Sequence, residues 1–519
     1  MRCQKLLPQG LGLMLIALFL AGCDAQSEKT PASGTVDLWV DATERTIGAT
    51  SEWTNKVELA DINGDGRADV LFANGGDYDS PGKPTFSQVF LNQGSEQMFE
   101  EATQQVFGPT AMLARVIKVR DVNGDGSPDI LIGTTYETQS QLFLGDGSGN
   151  FTNVTRTHLP QIDASVGDLE FGDVDGDGDL DVILADWGPG SPMSNEGGRT
   201  MLWLNDGTGR FSNATGSRMP DVLVEFSWEL EFVDVNNDYD LDILVSCKLC
   251  VGSFLFENDG TGAFIDVTPQ KLPQFTNNYE FEAMDVNGDD YLDVVTINDG
   301  PEFREHIFLN DRQGGFDDAT AQLWPDSENP SSDDNMVVFL DFDSDGDADL
   351  LIGSLELPDR LLLNDGLGKL KLVDHPQPIP GDTRGTLGIA AADLNGDHKL
   401  DVVQAQGEGA DPEKVFLGQN IQVDTAPPMI TQVEKVSASG AKQPIQIRAR
   451  VHDNKSPTMP HDWRSIVLRW TADGQTQETP MQWYGEYLWR GMIDEPPAGD
   501  FSYQICATDA AGNKACASP

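Results

Sequence analysis

One acidic motif recurs seven times along this 519-residue chain, and the repetition constrains the fold more than any other feature. The motif reads D-x-[DN]-x-D-x-x-x-D, and its copies begin at Asp61, Asp121, Asp173, Asp234, Asp285, Asp341 and Asp393. Successive copies lie 51 to 61 residues apart. A fixed period of this size is typical of one supersecondary unit per repeat. The sequence therefore predicts a repeat domain.

Each copy of the motif is embedded in the same pattern of strand signals. An apolar run leads into it, as in VELAD, and a β-branched or leucine-rich run leads out, as in DVLFAN. A third run ends in a D-G-T-G hairpin turn, and a fourth begins with Phe and usually ends in Thr, as in FSNAT from Phe211. Blade six departs from this signature, with LKLVD at residues 370–374. Four antiparallel strands repeated seven times predict a seven-bladed β-propeller.

The two ends of the propeller are predicted to meet in blade seven. The seventh unit stops after its third strand, VFLGQN, which ends at Asn420. The missing fourth-strand signature stands near the start of the chain, as WVDAT at residues 39–43. We therefore expect residues 38–43 to complete blade seven of a propeller that spans residues 35–420. Such a closure leaves no exposed sheet edge.

Beyond the propeller, a Pro-containing linker at 421–428 precedes short strand signals from residue 429 to 519. This segment looks like an immunoglobulin-like or fibronectin-like sandwich, and it reads as a spacer or stabilising module more readily than as a ligand-binding one. The predicted fold class is all-β: a seven-bladed β-propeller with a C-terminal immunoglobulin-like β-sandwich. Two local disulfides are expected, Cys247–Cys250 and Cys506–Cys516, although the first pair is also compatible with a redox role.

The first residues have the features of an export signal. Arg2 and Lys5 precede an apolar run that is too short for a permanent membrane span, and the run ends in Leu-Ala-Gly-Cys23. This ending resembles the bacterial lipobox, which implies a signal peptide at 1–22, lipidation of Cys23 and a polar tether at 23–34. An ordinary signal peptide that contains a cysteine is the alternative. The expected location is the bacterial cell envelope, on the periplasmic or surface side, with the N-terminal lipid as the sole membrane attachment.

The charge balance restricts the partners. The chain carries 33 basic and 85 acidic residues, a formal net charge of -52. A surplus of this size disfavours nucleic acid and anionic membrane surfaces as partners and favours cations.

The motif itself is predicted to bind calcium. Carboxylate and amide oxygens at positions 1, 3, 5 and 9 of a tight loop can converge on one hard cation, with no His or Cys among them. An EF-hand is excluded because strands, not helices, flank the loop, and solvated acidic turns are the alternative. The predicted ligands are Asp61, Asn63, Asp65, Asp69, Asp121, Asn123, Asp125, Asp129, Asp173, Asp175, Asp177, Asp181, Asp234, Asn236, Asp238, Asp242, Asp285, Asn287, Asp289, Asp293, Asp341, Asp343, Asp345, Asp349, Asp393, Asn395, Asp397 and Asp401.

Up to seven Ca²⁺ ions are therefore expected, but not with equal affinity. Position 6 favours glycine because the chain turns sharply there. Asp290, His398 and above all Tyr239 depart from this preference, so the Asp234 loop is predicted to be the weakest site. The Asp173 and Asp341 loops have Asp at position 3 and are expected to be the tightest.

The strand, acidic loop, strand and D-G-T-G hairpin together resemble the FG-GAP or VCBS repeat family, which includes the propeller head of integrin α subunits. The likeness covers residues 35–420 and implies the propeller fold and calcium at the seven loops. It implies much less about function, because the family includes adhesion proteins, lectins and some polysaccharide lyases.

The face opposite the acidic loops varies between repeats and is the candidate ligand surface. Its candidate contact residues are Tyr78, Tyr136, Trp187, Arg199, Phe303 and Arg304, although each aromatic ring could equally anchor its own loop. We predict a calcium-binding, lipid-anchored module that binds a protein or glycan ligand on this face. An enzyme acting on polysaccharide and a scaffold subunit of an envelope complex are the alternatives. The scattered histidines and the absence of a nucleophile motif argue against the enzyme.

Overall fold

The structure is a computed structural model that describes residues 37–50, 52–77, 79–94, 98–298, 300, 303–373, 379–407, 412–436, 444–495, 497 and 499–519. The predicted signal peptide, Cys23 and the tether at 23–34 lie outside these residues. Within them, no helix has the length and apolar character needed to cross a membrane.

Seven antiparallel sheets of four strands each occupy the described residues from Trp39 to Gly418. The chain begins with β1 (Trp39–Asp41), and blades one to three follow as β2 (Thr54–Ala60), β3 (Asp69–Asn74), β4 (Gln88–Asn92), β5 (Phe99–Glu101), β6 (Ala114–Arg120), β7 (Asp129–Thr134), β8 (Thr138–Gln139), β9 (Gln141–Gly145), β10 (Phe151–Asn153), β11 (Asp163–Ala164), β12 (Val166–Gly172), β13 (Asp181–Asp186), β14 (Met201–Asn205) and β15 (Phe211–Asn213). Strands β8 and β11 form a separate two-stranded ribbon.

Blades four to seven repeat the same up-and-down order. Their strands are β16 (Leu230–Val233), β17 (Asp242–Val245), β18 (Phe254–Asn258), β19 (Phe264–Asp266), β20 (Asn278–Met284), β21 (Asp293–Asn298), β22 (His306–Asn310), β23 (Phe316–Asp318), β24 (Asp334–Leu340), β25 (Asp349–Ser354), β26 (Arg360–Leu363), β27 (Lys371–Leu372), β28 (Thr386–Ala392), β29 (Asp401–Gln406) and β30 (Lys414–Gly418). The first strands of successive blades contact one another, and β28 contacts β2, so the blades form a closed ring. The all-β propeller predicted from the repeats is confirmed.

Short helices interrupt the chain after most outer strands. The one-turn α-helices are α1 (Thr103–Val106), α2 (Thr155–His158), α3 (Thr215–Arg218), α4 (Thr268–Lys271) and α5 (Thr320–Leu323), and the 3-10 turns cover Thr43–Arg45, Pro192–Ser194 and Pro460–Asp462. Each α-helix begins at the threonine that ends a fourth-strand signature. In blade three, for example, the Thr215 Oγ1 accepts a hydrogen bond from the Leu202 N–H at 3.0 Å. The threonine thus fixes the outer strand to the third strand of its own blade.

Strand β1 is the outer strand of blade seven. It pairs antiparallel with β30, with Trp39 opposite Gly418 and Asp41 opposite Phe416. The Val415 N–H donates to Thr43 Oγ1 at 3.0 Å, which repeats the threonine bond of the other blades. The Trp39 side chain is fully buried, and its indole N–H donates to the Leu400 carbonyl at 2.9 Å.

Asparagines at the end of the third strands join neighbouring blades. The Asn258 side-chain amide donates to the Leu241 carbonyl of its own acidic loop at 3.2 Å and to the Val174 carbonyl of the preceding blade's loop at 2.9 Å. Four further asparagines make the same pair of bonds: Asn92, Asn205, Asn310 and Asn364. Glycines Gly145 and Gly418 occupy this position in blades two and seven. Each of these five asparagine amides thus joins the acidic loop of its own blade to that of the preceding blade.

The C-terminal residues form a sandwich of two four-stranded sheets. Its strands are β31 (Met429–Thr431), β32 (Ile445–His452), β33 (Trp463–Ala472), β34 (Gln475–Pro480), β35 (Gln482–Gly485), β36 (Leu488–Ile493), β37 (Ser502–Asp509) and β38 (Lys514–Ala517). The two sheets enclose an apolar core that includes Ile447, Leu468 and Ile505. A disulfide joins Cys506 on β37 to Cys516 on β38, and a second joins Cys247 to Cys250 in blade four.

Candidate metal centres

All seven acidic motifs lie in the loop between the first and second strands of a blade, and position 9 begins the second strand. The position 1 carboxylate organises each loop. In blade one, Asp61 Oδ1 accepts the Gly64 N–H at 2.8 Å and Oδ2 accepts the Gly66 N–H at 2.7 Å. These bonds pull the loop around the carboxylate, so that the later ligand positions face the same point.

Position 6 has a left-handed backbone in every loop, as the glycine preference predicts. The φ angle is 83° at Gly66 and 108° at Gly178, but also 60° at His398 and 69° at Tyr239. A residue with a Cβ is strained in this region, most of all a bulky one. Tyr239 is therefore the residue that fits its loop least well by intrinsic preference.

The position 9 aspartates are buried, and both oxygens of each carboxylate accept a hydrogen bond from a backbone N–H group. In blade one, Asp69 Oδ2 accepts the Ile62 N–H at 3.0 Å and Oδ1 accepts the Asn92 N–H at 2.7 Å. Burial raises the pKa of Asp69 to about 7, and the nearby acidic residues of the loop act in the same direction. A bound cation would favour the ionised form of such a carboxylate. The donor chemistry of these loops therefore suits a hard divalent ion.

Two loops bring three carboxylates to one point. Oxygens of Asp173, Asp175 and Asp181 lie within 4.8 Å of one another, and the equivalent oxygens of Asp341, Asp343 and Asp349 do the same. These are the two loops with Asp at position 3. The position 5 residues Asp177 and Asp345 do not belong to either group of close oxygens. Both buried clusters are able to hold a metal ion.

The sandwich covers the face of the propeller that carries these loops, and no sequence pattern indicated this contact. Backbone bonds join the two parts: the Asp173 N–H donates to the Tyr484 carbonyl and the Asp341 N–H to the Asn454 carbonyl, both at 2.8 Å. The Tyr487 hydroxyl donates to the Ala283 carbonyl at 3.1 Å. The sandwich is thus part of the metal-loop surface and not a detached spacer.

Two buried arginines of the sandwich pair with the position 1 carboxylates of two loops, and Arg450 also donates to the Asp290 carbonyl in a third loop at 3.1 Å. Arg490 pairs with the Asp173 carboxylate and donates to the Gly178 carbonyl at 2.7 Å. Arg450 donates to Asp234 Oδ2 at 3.4 Å and to Asn237 Oδ1 at 2.7 Å. A guanidinium at a loop repels a second cation there. We therefore no longer expect the Asp173 loop to be among the tightest sites, whereas no ion pair joins Asp341 itself to a sandwich arginine within the described residues.

Contacts with the sandwich also explain how the Asp234 loop keeps Tyr239 at position 6. The Arg448 guanidinium lies over the Tyr239 ring, 5.0 Å from its centroid, and donates to Asp240 Oδ1 at 3.1 Å. The Tyr484 hydroxyl donates to the Tyr239 carbonyl at 2.9 Å. Burial raises the pKa of Asp234 to about 6 although Arg450 opposes the shift. These contacts compensate for the strained backbone at Tyr239 and leave less need for a metal.

The predicted ligand-face residues have different environments. Trp187 is fully buried, and its ring stacks on Trp228 at 5.6 Å, so its prediction as a ligand contact was wrong and it anchors its loop instead. Tyr136 packs edge-on against Trp187 and is partly buried. Tyr78 lies outside the described residues. The prediction failed for Trp187 because the position of a residue in a variable loop does not reveal whether its side chain is buried.

The remaining candidates are at least partly exposed, and the two arginines among them have partners within the protein. Arg199 pairs with Asp221, and Arg304 Nε donates to the Asn329 carbonyl at 2.8 Å. Phe303 is partly buried. These side chains lie on loops of the face opposite the sandwich.

Exposed apolar side chains mark that opposite face more clearly than the predicted residues do. Six of the propeller's exposed large apolar side chains lie on loops between second and third strands or between blades, and a seventh, Leu367, lies on the hairpin of blade six. The six are Phe86, Met193, Leu223, Leu249, Val251 and Leu357. Loops of blades three and four adjoin one another, since the Val224 N–H donates to the Gly198 carbonyl at 2.8 Å and the Lys248 N–H donates to the Phe226 carbonyl at 3.4 Å. We call Met193, Leu223, Leu249 and Val251 the apolar patch. The sequence shows that these side chains are apolar, but it does not show that they are exposed.

The central channel of the ring is acidic and is capped by the sandwich. All seven first strands line a cavity of about 120 Å³, together with Pro457, Met459 and Trp483 from the sandwich. Glu58, Glu170, Glu231 and Glu282, from blades one, three, four and five, line this cavity. Lys118 pairs with Glu170, and Lys56 with Glu229.

Comparison with known proteins supports the repeat assignment. A family model described as FG-GAP-like repeat matches residues 61–132, 121–184, 285–352 and 341–403. These stretches include six of the seven acidic loops and omit the Asp234 loop, which is also the loop with tyrosine at position 6. No curated protein matches the chain.

Solved structures that match the chain include the following two. One is a crystal structure of BBS1N in complex with ARL6DN, soaked with lead, with a TM-score of 0.44 and 9% identity over 74% of this chain and 98% of that chain. The other is the V. cholerae biofilm matrix protein Bap1, with a TM-score of 0.34 and 13% identity over 91% of this chain and 73% of that chain. The matched stretches lie on the blades described above, so the chain is a β-propeller protein that carries FG-GAP-like repeats.

Proposed function

We propose that this protein is a calcium-stabilised, lipid-anchored binding module of the bacterial envelope, and that it holds a protein ligand on the propeller face opposite the sandwich. The observation that carries the proposal is the contrast between the two faces. The metal-loop face is covered by the sandwich, whereas the loops of the other face present exposed apolar side chains.

Calcium is the cation that the loops suit best. Their side-chain donors are carboxylate and amide oxygens, and their backbones offer carbonyls, a set that hard cations prefer. Ca²⁺ accepts irregular shells of six to eight oxygens, whereas Mg²⁺ demands a compact octahedron. The loops whose position 1 carboxylate has no ion pair with a described sandwich arginine would be loaded first: those at Asp61, Asp121, Asp285, Asp341 and Asp393.

A protein ligand is favoured over a glycan by the chemistry of the apolar patch. Val251 is 79% exposed and Leu223 is 51% exposed, and neither offers a hydrogen bond to a sugar hydroxyl. Exposed apolar side chains that cluster on adjoining loops are typical of protein interaction sites, and the loops that carry these residues adjoin one another. The adhesion and scaffold hypotheses share this requirement for a protein partner.

The envelope location and the lipid anchor are supported by the sequence alone. The apolar segment that ends at Cys23 resembles a bacterial lipobox, and the polar segment after it would separate the lipid from the propeller. Disulfides at Cys247–Cys250 and Cys506–Cys516 suit an oxidising compartment.

The ligand proposal is tested by a pair of variants in blade four. The double variant Leu249→Ser/Val251→Ser removes two side chains of the apolar patch, and Ile265→Ser removes a 61% exposed side chain on the outer strand of the same blade. Captured partners from envelope extract are identified by mass spectrometry, and their affinity for each purified variant is then measured.

We expect Ile265→Ser to bind the identified partner as the unchanged protein does, and the double variant to bind it at least tenfold more weakly. Equal affinity for all three proteins would contradict the proposed surface. Binding of a glycan array in place of any protein would contradict the proposed ligand class.

A further inference from the structure

Three aspartates from separate segments meet where the sandwich joins blade seven. They are Asp424 of the linker, Asp453 after β32 and Asp509 at the end of β37, and one oxygen of each lies within 4.8 Å of the others. None of the three belongs to the acidic motifs of the propeller. Residues so far apart in sequence are brought together only by the docking of the linker on the sandwich.

An unpartnered oxygen points to a ligand at this cluster. Asp509 is fully buried, and its Oδ1 accepts the N–H groups of Gly512 at 2.5 Å and Asn513 at 2.8 Å. Its Oδ2 has no hydrogen-bond partner in the described part of the chain, and neither has Asp424 Oδ1. A buried carboxylate oxygen without a partner is costly unless a ligand satisfies it.

The space beside the carboxylates is large enough for an ion. A cavity of about 40 Å³ is lined by Asp424, Asp453, Asp462 and Lys455, and by His398 from the acidic loop of blade seven. One water-sized sphere needs about 10–15 Å³. The cavity therefore has room for a cation with part of its hydration shell.

The protein's own cations do not neutralise the cluster. Lys455 Nζ is bonded to Asp462 Oδ2 at 2.7 Å and to the Pro457 carbonyl at 2.9 Å. No ion pair joins Asp424, Asp453 or Asp509 to a basic side chain within the described residues. The three carboxylates thus share one place, and Lys455, the nearby cation, is paired with a fourth carboxylate.

We propose that Asp424, Asp453 and Asp509 form an additional Ca²⁺ site that locks the sandwich to the propeller. Three carboxylates supply the charged ligands, and neighbouring carbonyls or water complete the shell. Ligands drawn from three segments produce an irregular arrangement, which suits Ca²⁺ better than Mg²⁺.

The position of the site gives it a mechanical role. The Asp424 N–H donates to the His398 carbonyl of blade seven at 2.8 Å, and the Asn513 side-chain amide donates to the Asp424 carbonyl at 3.4 Å. An ion at Asp424 would therefore tie the linker to both parts at once. Its removal frees the linker and weakens the docking of the sandwich on the metal loops.

The test counts calcium ions bound to each purified protein. Asp509→Asn preserves the oxygen that accepts the two backbone N–H groups and removes the free carboxylate charge, and Asp424→Asn changes only the linker. The matched control is Asp473→Asn, at an exposed turn of the same sandwich. Bound calcium is measured by elemental analysis after equilibrium dialysis, and cleavage of the linker is measured by limited proteolysis in calcium.

We expect Asp509→Asn and Asp424→Asn each to bind one ion fewer than the unchanged protein and to be cleaved in the linker at least tenfold faster. Asp473→Asn should match the unchanged protein in both measurements. An unchanged ion count in Asp424→Asn, whose folding does not depend on the sandwich core, would overturn the proposal. Asp341→Asn provides an independent count for a propeller loop, so that failure of the propeller sites is distinguished from failure of this one.

Discussion

At the scale of single residues, two sandwich arginines distinguish the acidic loops from one another. Arg490 is buried against Asp173, and Arg450 is buried against Asp234. A buried guanidinium paired with a carboxylate opposes entry of a divalent cation at short range. The loops are therefore unequal for a reason that lies outside their own sequences.

Removing the positive charge at Asp173 should strengthen calcium binding to that loop. In Arg490→Gln, we expect one class of sites to gain at least tenfold in affinity, about 1.4 kcal/mol, because the competing charge is gone. Isothermal titration with calcium measures the change. Arg469→Gln, at a surface arginine paired with Glu478, is the control. Unchanged titration curves in Arg490→Gln would show that Arg490 does not compete with the metal.

The central channel holds carboxylates whose pKa values are far from ordinary. Burial raises the pKa of Glu282 to about 7, although a hydrogen bond from Ser456 and the charge of Lys118 oppose the shift. A carboxyl whose pKa is higher in the folded state than in the unfolded state destabilises the fold when the pH favours its ionisation. This destabilisation is absent below pH 4.5, grows as the pH rises from 4.5 to 7, and is complete above pH 7.

Glu282→Gln should therefore be more stable than the unchanged protein at pH 8 and equal to it near pH 4.5. We expect a gain of about 3 kcal/mol at pH 8, because the pKa shift costs about 1.4 kcal/mol per unit and the variant does not have to bury an ionised carboxylate. Urea denaturation in saturating calcium at several pH values measures the difference. Glu100→Gln, at an exposed position of blade one, should show no such pH dependence. A constant difference at all pH values would contradict the assigned pKa.

At the scale of elements, β1 holds the ring closed. It supplies the outer strand of the blade whose other three strands come from the opposite end of the propeller. The Trp39 ring is buried in a cluster with Ile389 and Phe416 of blade seven and with residues of blade six. One short strand thus connects residues that are more than 350 positions apart.

Trp39→Ala should destabilise the whole propeller and not only its first residues. Loss of a buried tryptophan costs about 3–5 kcal/mol, and here it also removes the bond to the Leu400 carbonyl. Thermal unfolding followed by circular dichroism measures the loss. The neighbouring Val40 is 38% exposed, so Val40→Ala should change stability by less than about 1 kcal/mol. Equal melting temperatures for the two variants would contradict the role of β1.

The repeats could be predicted from the sequence because each blade is specified locally. The alternation of apolar strands, the acidic loop, the hairpin and the final threonine recur within about 60 residues, and each has a local physical cause. The covering of the metal loops could not be predicted. It depends on Arg448, Arg450 and Arg490 reaching loops more than 200 residues away, and alternating arginines on a strand are also typical of an exposed sheet face.

The ligand-face residues show the same limit. Their loops were predicted from the variation between repeats, but Trp187 is buried, and the exposed residues are apolar side chains that carried no distinctive motif. Burial of a loop side chain is set by neighbouring blades, here by Phe226 and Trp228. A single-blade pattern contains no information about that packing.

At the scale of the whole molecule, bound cations would offset part of the repulsion between the acidic residues. A chain with a formal net charge of -52 pays repulsion in every acidic loop when no cation is bound, and even seven divalent ions would leave it strongly acidic. Calcium that binds only the folded loops stabilises the fold by mass action. With a dissociation constant of about 0.1 mM and free calcium at about 2 mM, each loaded loop contributes about 2 kcal/mol.

Thermal unfolding in calcium and in chelator tests this central claim most directly. The full protein is melted in about 2 mM calcium, in the same concentration of magnesium and in excess EGTA, conditions chosen from the affinity range of extracellular calcium modules. We predict a melting temperature that is higher in calcium than in EGTA by about 10 °C, with magnesium close to EGTA. The same melting temperature in all three conditions would contradict calcium binding by the acidic loops.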